Sequence, residues 1–304
     1  FPVKVLLYPR TEKIDFIGEK NCKEMLTFDQ DSWYKSPGHK FNISTLMAGK
    51  GKDVLEKIEK NTTPLWPKLA DFSLGLTPYD KYRGHSEKQI KNRVFHSKTK
   101  KDSTFKPLLS GKHIVRYGVF WDNKEYIRYG KWLGAPREKR FFTKPRILVR
   151  QIVSGNPLKI YAGYTEDELY NAQIGFNILV KDESRLLTKY LLAILNSTLM
   201  NIYHKGKYLD ESKNTFQKIL IENAKKFPIK IPDIKKQREI VKIVDDMISD
   251  MYRLNKLKEK NNDEKLKLIE AVKKHDEFID KTIYQVYGIN EAEQKILEKS
   301  LHRE

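Results

Sequence analysis

The chain has 304 residues and a formal net charge of +19, with 59 Lys and Arg against 40 Asp and Glu. Hydrophobic residues make up 39% of it, which supplies enough apolar side chains for a core and excludes wholesale disorder. No run approaches the roughly 18 consecutive apolar residues that cross a bilayer. The single cysteine, Cys22, excludes an intramolecular disulfide framework and a zinc site built on cysteines, so we expect a reducing, cytoplasmic environment.

Strands and one helix are predicted in the first 80 residues. The expected strands are residues 3–8 (VKVLLY), 14–17 and 69–77 (LADFSLGLT), the last ending in a glycine turn. A polar stretch is expected to end at residues 36–38. Residues 53–60 are predicted to form an amphipathic helix, because Val54, Leu55 and Ile58 recur on one side of it.

The middle of the chain is predicted to be loops, strands and one buried helix. Residues 81–106 show little periodicity and are expected to be loops. The expected strands are residues 113–120, 125–129, 146–153 and 175–180, of which the last two are apolar enough to be central. Residues 186–204 are apolar on most faces, which predicts one buried helix.

The last 70 residues have the pattern of long helices. Pro232 and Asp233 are typical of a helix start. The residues that then recur at alternating spacings of four and three, as in a coiled-coil seam, are Ile240, Val244, Met247, Met251 and Leu254. This pattern fits either two helices joined near Asn261 and Asn262 or one long helix. The seam could pack within the chain, mediate self-association or contact a partner. Strands followed by helices predict an α+β fold.

The positive charge is concentrated in one part of the chain. Residues 81–150 hold 20 Lys and Arg against five acids, a net charge of +15, whereas residues 233–304 are neutral. A localised positive field attracts polyanions, and nucleic acid is the commonest one in a cytoplasm. A solvated lysine-rich surface is the alternative. The eight arginines of this region are interleaved with aromatic residues, and this combination suits phosphates and base edges. The aromatic residues are Tyr79, Tyr82, Tyr117, Trp121, Tyr126, Tyr129 and Trp132.

The sequence contains no complete set of catalytic groups. Gly49-Lys50-Gly51-Lys52 departs from a phosphate-binding loop, because Leu46 stands where that pattern needs glycine. The seven histidines never occur at metal-ligand spacing. We therefore expect no catalytic residue, no bound cofactor and no metal in this chain. It begins at Phe1 rather than Met, which predicts a fragment of a longer protein.

Six segments, in order, carry a resemblance to a known family. They are residues 54–77, 108–118 (LLSGKHIVRYG), 143–152 (TKPRILVRQI), 190–203 (YLLAILNSTLMNIY), 227–248 (FPIKIPDIKKQREIVKIVDDMI) and 278–297 (FIDKTIYQVYGINEAEQKIL). They resemble the C-terminal target-recognition region of type IIG restriction–modification enzymes and TaqI-like adenine-specific DNA methyltransferases, and also type I restriction specificity subunits. His113 stands where the family usually has an acid, and Pro78 where it often has glycine.

The resemblance implies how the chain is divided and what its parent protein does. It implies a trailing edge of a methyltransferase-like domain in residues 1–50, a mixed-sheet target-recognition domain in residues 51–232 and a helical arm in residues 233–304. The parent would methylate adenine at N6 with S-adenosylmethionine, and would use Mg²⁺ if it also cleaves DNA. The methyltransferase's Asn-Pro-Pro-Tyr motif is absent from this sequence, so the catalytic domains are expected upstream in the same polypeptide.

Sequence-specific binding of double-stranded DNA is the leading hypothesis. A type I specificity subunit with one recognition domain, and a different basic module that binds RNA or acts as a phage adaptor, remain alternatives. The residues expected to contact DNA are Lys81, Arg83, Lys88, Lys91, Arg93, Lys98, Lys100, Lys101, Lys112, Arg116, Arg128, Lys131, Arg137, Arg140 and Arg150. Lys98, Lys100 and Lys101 are expected to bind phosphates. The candidates for reading bases lie beside aromatic residues and predicted strands: Arg116, Arg128, Arg137 and Arg140.

Overall fold

The computed structural model describes residues 1–8, 13–34, 49–155, 157–209, 217–257 and 263–300. The strands are β1 (Pro2–Leu7), β2 (Glu24–Asp29), β3 (Thr63–Pro64), β4 (Ala70–Leu74), β5 (His96–Ser97), β6 (Phe105–Leu109), β7 (Tyr126–Arg128), β8 (Arg146–Arg150), β9 (Ala162–Thr165), β10 (Tyr170–Asn171), β11 (Gly175–Val180) and β12 (Pro228–Ile229). The helices are α1 (Gln30–Tyr34), α2 (Gly49–Glu59), α3 (Glu87–Lys91), α4 (Arg140–Thr143), α5 (Thr188–Asn196), α6 (Thr198–Tyr208), α7 (Ile221–Ala224), α8 (Ile234–Lys256), α9 (Asp263–Tyr287) and α10 (Glu291–Lys299). This mixture confirms the predicted α+β class. None of these helices combines the length and hydropathy that a membrane span requires.

The first two strands form a hairpin. β1 pairs with β2 in antiparallel register from Pro2↔Asp29 to Leu7↔Glu24, which confirms the first predicted strand. The strand predicted at residues 14–17 is wrong, because Phe16 and Ile17 are exposed and unpaired. β2 alternates exposed and inward-facing side chains, with Phe28 inward, and its six residues pair with the six residues of β1. The segment 14–17 has only four residues and is interrupted by Asp15, so it offers no such pairing. The polar stretch expected to end at residues 36–38 lies outside the described residues.

The larger sheet has the order β4-β11-β8-β9 and is antiparallel throughout. The prediction that residues 146–153 and 175–180 supply central strands is confirmed by β8 and β11. Ile147 and Val149 face the main core with the helices, while Leu148 packs in a second cluster on the opposite face. Burial on both faces explains why these strands are almost continuously apolar in sequence.

Gly75, which follows β4, lies against the backbone of Ala172 and does not form a turn. The predicted glycine turn is therefore wrong. A Cβ there would lie 1.8 Å from the carbonyl oxygen of Ala172, so only glycine fits. The chain stays extended beyond it: Leu76 bridges to Ala172 and Thr77 bridges to Ala135.

The smaller sheet has the order β10-β6-β7-β5, with β10 parallel to β6 and the other pairs antiparallel. We call residues 78–145, which contain its strands β5, β6 and β7, the basic lobe. Its own core is formed by Leu76, Phe95, Leu108, Ile127, Leu133, Phe142 and Tyr170. This cluster is small, and it holds the lobe's strands and loops against one end of the larger sheet.

Two predictions for the basic lobe are corrected. Residues 81–106, expected to be loops, also contain the helix α3, the strand β5 and the start of β6. α3 begins with a capping box in which Ser86 and Gln89 bond reciprocally. Residues 113–120 are not a strand. Ile114 and Val119 pair across a tight turn in which Tyr117 takes a positive φ of 67°, so the chain reverses where the alternating pattern predicts extension.

The helix predicted at residues 186–204 is two helices, α5 and α6. Ser197 leaves the helical region with φ −64° and ψ 150°, and its hydroxyl accepts from the backbone N–H of Met200 at 3.2 Å as the N-cap of α6. The other predicted helices are confirmed. α2 buries Val54, Leu55 and Ile58, and α8 begins after Asp233, whose carboxylate accepts from Lys236 N at 2.9 Å.

α8 and α9 form an antiparallel hairpin, which settles the choice between one and two helices. Arg253 near the end of α8 lies 3.3 Å from Glu264 at the start of α9, and Asp250 lies 3.4 Å from His275 further along. Ile240, Val244 and Met247 of the predicted seam are buried in the main core, where α8 packs on α5 and α9. These three side chains therefore pack within the chain rather than against a partner.

Candidate nucleic-acid interface

An exposed arginine lies at the centre of the basic lobe. Arg128 ends β7, where its N–H donates to Phe95 O at 2.8 Å and the residue pairs with Phe105 of β6. Its guanidinium lies 4.5 Å from the centre of the Trp132 ring, and the Trp132 indole donates to Arg128 O at 2.9 Å. A strand and a stacked ring thus fix a cation that is exposed to solvent.

The turn before α3 lies beside this pair. Residues 81–83 form a single 3-10 turn that is capped by Asp80, and they place Tyr82 in solvent with its side chain 101% exposed. His85 follows the turn, and its Nε2 lies 2.8 Å from Trp132 O. The structure therefore brings together two basic stretches that are almost 50 residues apart in sequence.

Nine of the fifteen residues expected to contact DNA are exposed and have no acidic side chain within 4.0 Å among the residues that the structure describes. All nine belong to the basic lobe. They are Arg83, Lys88, Lys91, Lys98, Lys100, Lys101, Arg128, Lys131 and Arg137. An unneutralised set of this size on one lobe produces a strong local positive potential.

Three more of the fifteen pair with acids at the surface. Lys81 lies 2.7 Å from Glu87, Lys112 lies 2.9 Å from Asp122, and Arg93 pairs with Glu125. The Lys81–Glu87 pair is exposed on both sides and contributes little to stability, so Lys81 can exchange its carboxylate for a phosphate at small cost. The carboxylates of Asp122 and Glu125 are mostly buried and hold Lys112 and Arg93 more firmly.

Arg116 has a structural position that argues against contact with DNA. Its two terminal nitrogens each lie 2.7 Å from a carboxylate oxygen of Asp276 in α9, and one of them donates to Asn196 O at 2.8 Å. Only 18% of the side chain is exposed. The pKa of Arg116 is raised, although burial alone would lower it, because Tyr117 and Asp276 stabilise the cation. The terminal nitrogens are therefore bonded within the chain and Nε is buried, so Arg116 offers no exposed fork to a base.

Arg140 and Arg150 are also occupied within the chain. Arg140 lies 2.7 Å from Asp71 and 2.8 Å from Glu138. Arg150 stacks on Tyr161 at 3.9 Å, donates to Ile152 O at 3.1 Å and bonds Ser154. Of the four arginines predicted to read bases, the structure leaves Arg128 and Arg137 exposed without an acidic partner among its described residues.

Arg146, one of the interleaved arginines, is part of the core. It is fully buried in β8 and donates to the carbonyl oxygens of Lys144, Asp167 and Leu169 at 2.7–3.0 Å. Burial lowers its pKa to about 10, so the residue stays a cation at neutral pH. Its carbonyl ligands lie 2 to 23 residues away, and nothing in the local sequence distinguishes it from an exposed arginine.

Two aromatic residues of the basic lobe were given no individual role by the sequence. Tyr82 and Trp132 are exposed beside the unneutralised cations, with Trp132 39% exposed. The signal that could identify Tyr82 is the Asp80-x-x-x-Gly84 spacing, which is typical of a tight capped turn.

The described residues also include no group of three or more His, Cys, Asp or Glu side chains placed to hold a metal ion. His113 and Asp122 lie 3.3 Å apart, and Lys112 is the other side chain that pairs with this carboxylate. Burial raises the pKa of Asp122, but hydrogen bonds from Lys112 and His113 outweigh it and lower that pKa. This ionised carboxylate ties the turn around residue 113 to the loop before β7.

Residues 106–229 match the TaqI-like C-terminal specificity domain family. A curated relative from Methanocaldococcus jannaschii (strain ATCC 43067), named as a type II restriction enzyme and methyltransferase, RM.MjaORFECS2P, is 26% identical over 192 residues. That alignment covers 63% of this chain and 15% of the relative. The predicted resemblance to the specificity region of restriction–modification enzymes is thereby confirmed.

Two solved structures are similar over most of the chain. The type IIL restriction–modification enzyme MmeI in complex with DNA has a TM-score of 0.44 at 12% identity, covering 77% of this chain and 35% of that one. A type I restriction–modification assembly has a TM-score of 0.36 at 13% identity, covering 73% and 44%.

Proposed function

Starting from the specificity-domain match of residues 106–229, we propose that this chain recognises a sequence in double-stranded DNA through its basic lobe. The observation that carries the proposal is the set of nine exposed, unneutralised cations on that lobe. In the helical hairpin α8–α9, by contrast, lysines pair with acids, as in Lys273–Glu277 and Lys274–Glu270. DNA would therefore be drawn to one side of the molecule.

The cations divide into two groups by how firmly they are held. Lys98, Lys100 and Lys101 are exposed in the loop between β5 and β6, and long lysine stems suit phosphates without reading sequence. Arg128 is fixed by β7 and Trp132, and Arg137 by a hydrogen bond of 3.5 Å from its Nε to Gly75 O. A positioned guanidinium can bond guanine O6 and N7 together, which discriminates against other bases.

The recognition would serve an adenine-specific DNA methyltransferase, with or without endonuclease activity. The name of the M. jannaschii relative, of which the chain spans 15%, supports the methyltransferase and the endonuclease, and the choice of adenine rests on the resemblance of the sequence motifs alone. S-adenosylmethionine, and Mg²⁺ for a nuclease, would be bound by catalytic domains of the same polypeptide outside this chain. The basic lobe would hold the duplex while those domains act on an extruded adenine. The proposal includes a cytoplasmic location, because a protein that reads genomic DNA has to be where that DNA is.

We expect the chain to bind duplex DNA with a steep dependence on salt. If six to eight phosphates are neutralised, the association constant falls by about three orders of magnitude between 50 and 200 mM salt. Fluorescence anisotropy with a labelled 30-base-pair duplex, titrated over that salt range, measures it. A salt-independent affinity, no binding, or preferential competition by structured RNA would contradict the proposal.

A matched pair of charge variants locates the surface. K98Q/K100Q/K101Q removes three charges from the basic lobe, and K267Q/K273Q/K274Q removes three exposed charges from α9. The first should weaken binding to all sequences and reduce the salt slope, because it removes phosphate contacts. The second should bind as the parent does. Equal effects of the two would show that the interaction follows net charge and not this lobe.

A further inference from the structure

The most exposed aromatic side chain among the described residues stands on a turn that is fixed from within. Asp80 Oδ1 accepts from Tyr82 N at 2.9 Å, and Asp80 O accepts from Arg83 N at 3.0 Å. Gly84 closes the turn with a positive φ of 88°, which favours glycine. Scattered exposed apolar residues are ordinary, but this ring is held away from the protein surface by a preformed backbone.

A second set of contacts anchors this turn to the loop that carries Trp132. His85 Nδ1 accepts from Asp80 N at 2.8 Å, and its Nε2 lies 2.8 Å from Trp132 O. The two backbones touch, since a Cβ on Gly134 would lie 2.8 Å from the Cβ of Asp80. The Tyr82 turn is therefore rigidly placed next to Arg128 and Trp132.

The neighbours of Tyr82 are cations. Arg83 is unneutralised, Lys81 is held only by a surface pair with Glu87, and α3 continues with Lys88 and Lys91. Phosphates drawn to these side chains would bring the grooves of a duplex onto the Tyr82 ring. An apolar ring at the centre of a cationic surface is the arrangement by which DNA-binding proteins unstack a base step.

We propose that Tyr82 is a wedge that inserts its ring at a base step of the bound duplex, stacks on a base and kinks the DNA. The proposal rests on the proposed function and deepens it: part of the sequence preference would come from how easily that step deforms, and pyrimidine–purine steps deform most easily. Because the backbone of the turn is already fixed, only the Tyr82 side chain has to be ordered on insertion. Tyr82 precedes the segment that matches the specificity-domain family, so the match assigns it no role.

The test uses the whole chain and a duplex enriched from a randomised library by that chain, labelled at both ends for energy transfer. Binding of the parent should raise the transfer efficiency, because a wedge of this type bends DNA by about 20–90°. Tyr82→Ala should abolish that rise and weaken binding about tenfold. Tyr82→Phe keeps the ring and should retain both effects. Phe278→Ala removes an exposed ring, 52% accessible, from α9 and should behave as the parent.

The outcomes separate this inference from the proposed function. If the parent enriches no duplex, the proposed function fails. If the parent binds but Tyr82→Ala bends and binds DNA equally well, the wedge is wrong and DNA recognition stands. A loss of affinity with unchanged energy transfer would place Tyr82 against the groove wall and would also overturn the wedge. An unchanged thermal midpoint shows that each variant is folded.

Discussion

At the scale of single residues, two arginines with the same sequence environment have opposite roles. Arg116 precedes Tyr117 and Arg128 precedes Tyr129, and both lie in the region of net charge +15. What separates them is Asp276, which is 160 residues from Arg116 in sequence and bonds it through both carboxylate oxygens. The sequence therefore predicts where positive charge accumulates, but a long-range acid decides which cations remain available.

Replacing these two arginines should separate stability from DNA binding. Arg116→Met leaves Asp276 and the nearby, largely buried Asp280 without their cation, so we expect the free energy of unfolding to fall by about 3 kcal/mol. Arg128→Met removes an exposed side chain and should change it by less than about 1 kcal/mol. Urea denaturation of both variants measures this difference.

The binding readout completes the comparison. Arg128→Met should weaken DNA binding and relax the choice of base at one position of an enriched site, since a bidentate contact is worth roughly 1–3 kcal/mol. Folded Arg116→Met should keep the parental consensus. If Arg116→Met relaxes the consensus and Arg128→Met does not, the two roles are exchanged and our assignment is wrong.

At the scale of elements, side chains of two helices help to complete the larger sheet. Asn196, fully buried at the end of α5, donates to Ala162 O at 2.9 Å and accepts from Ala162 N at 3.2 Å. Asn201 of α6 accepts from the backbone N–H of Ile160. Together with the backbone of Tyr117, which bridges to Gly163, these amides bond the edge of β9 that faces away from β8. The break between α5 and α6 is what brings both asparagines to that edge.

Asn196→Ala should therefore be strongly destabilising. It leaves the buried N–H of Ala162 unpaired, which costs about 1–3 kcal/mol, whereas Ala162 O keeps the hydrogen bond that it accepts from Tyr117 N at 2.8 Å. We expect the free energy of unfolding to fall by about 2 kcal/mol, measured by urea denaturation. Asn92→Ala, at the exposed C-cap of α3, is the control and should change it by less than about 1 kcal/mol. Equal losses would show that Asn196 does not hold this edge.

Elements were predictable where one physical signal dominates. The strands β8 and β11 were predicted correctly from their apolar runs, and the helix α8 from the acid at its start. Burial on two faces and helix capping leave signals that are local in sequence. The apolar pattern of residues 186–204 continues across Ser197, so periodicity predicted one helix where a buried hydroxyl cap makes two. Residues 113–120 alternate like a strand but turn at Tyr117, and no glycine or proline at that position signals it.

At the scale of the whole molecule, the hydrophobic core does not follow the division expected from the sequence. One cluster runs from Val54 of α2, through the larger sheet, to Leu297 of α10. α8 contributes Ile240 and Val244 to it, and α9 contributes Ile283. The ion pair Lys57–Glu293, at 2.8 Å, joins α2 to α10 across the same region. Helices α8 to α10 therefore share one hydrophobic core with the larger sheet, and the division at residue 232 stays a prediction.

The division at residue 232 can be tested by truncation, and we expect residues 49–232 alone to lack a cooperative fold. The cut removes nine buried side chains of the main core: Ile240, Val244, Met247, Ile279, Ile283, Tyr284, Tyr287, Ile289 and Leu297. Truncating one such side chain costs about 2–5 kcal/mol, so their joint loss matches or exceeds the roughly 5–15 kcal/mol that stabilises a typical domain. Residues 49–304 are the control, because the main core includes none of the described residues before Val54. Differential scanning calorimetry should show a sharp transition for residues 49–304 and none for residues 49–232. A sharp transition at a similar temperature for both would make the recognition domain independent, and the α8–α9 hairpin would then be an arm after all.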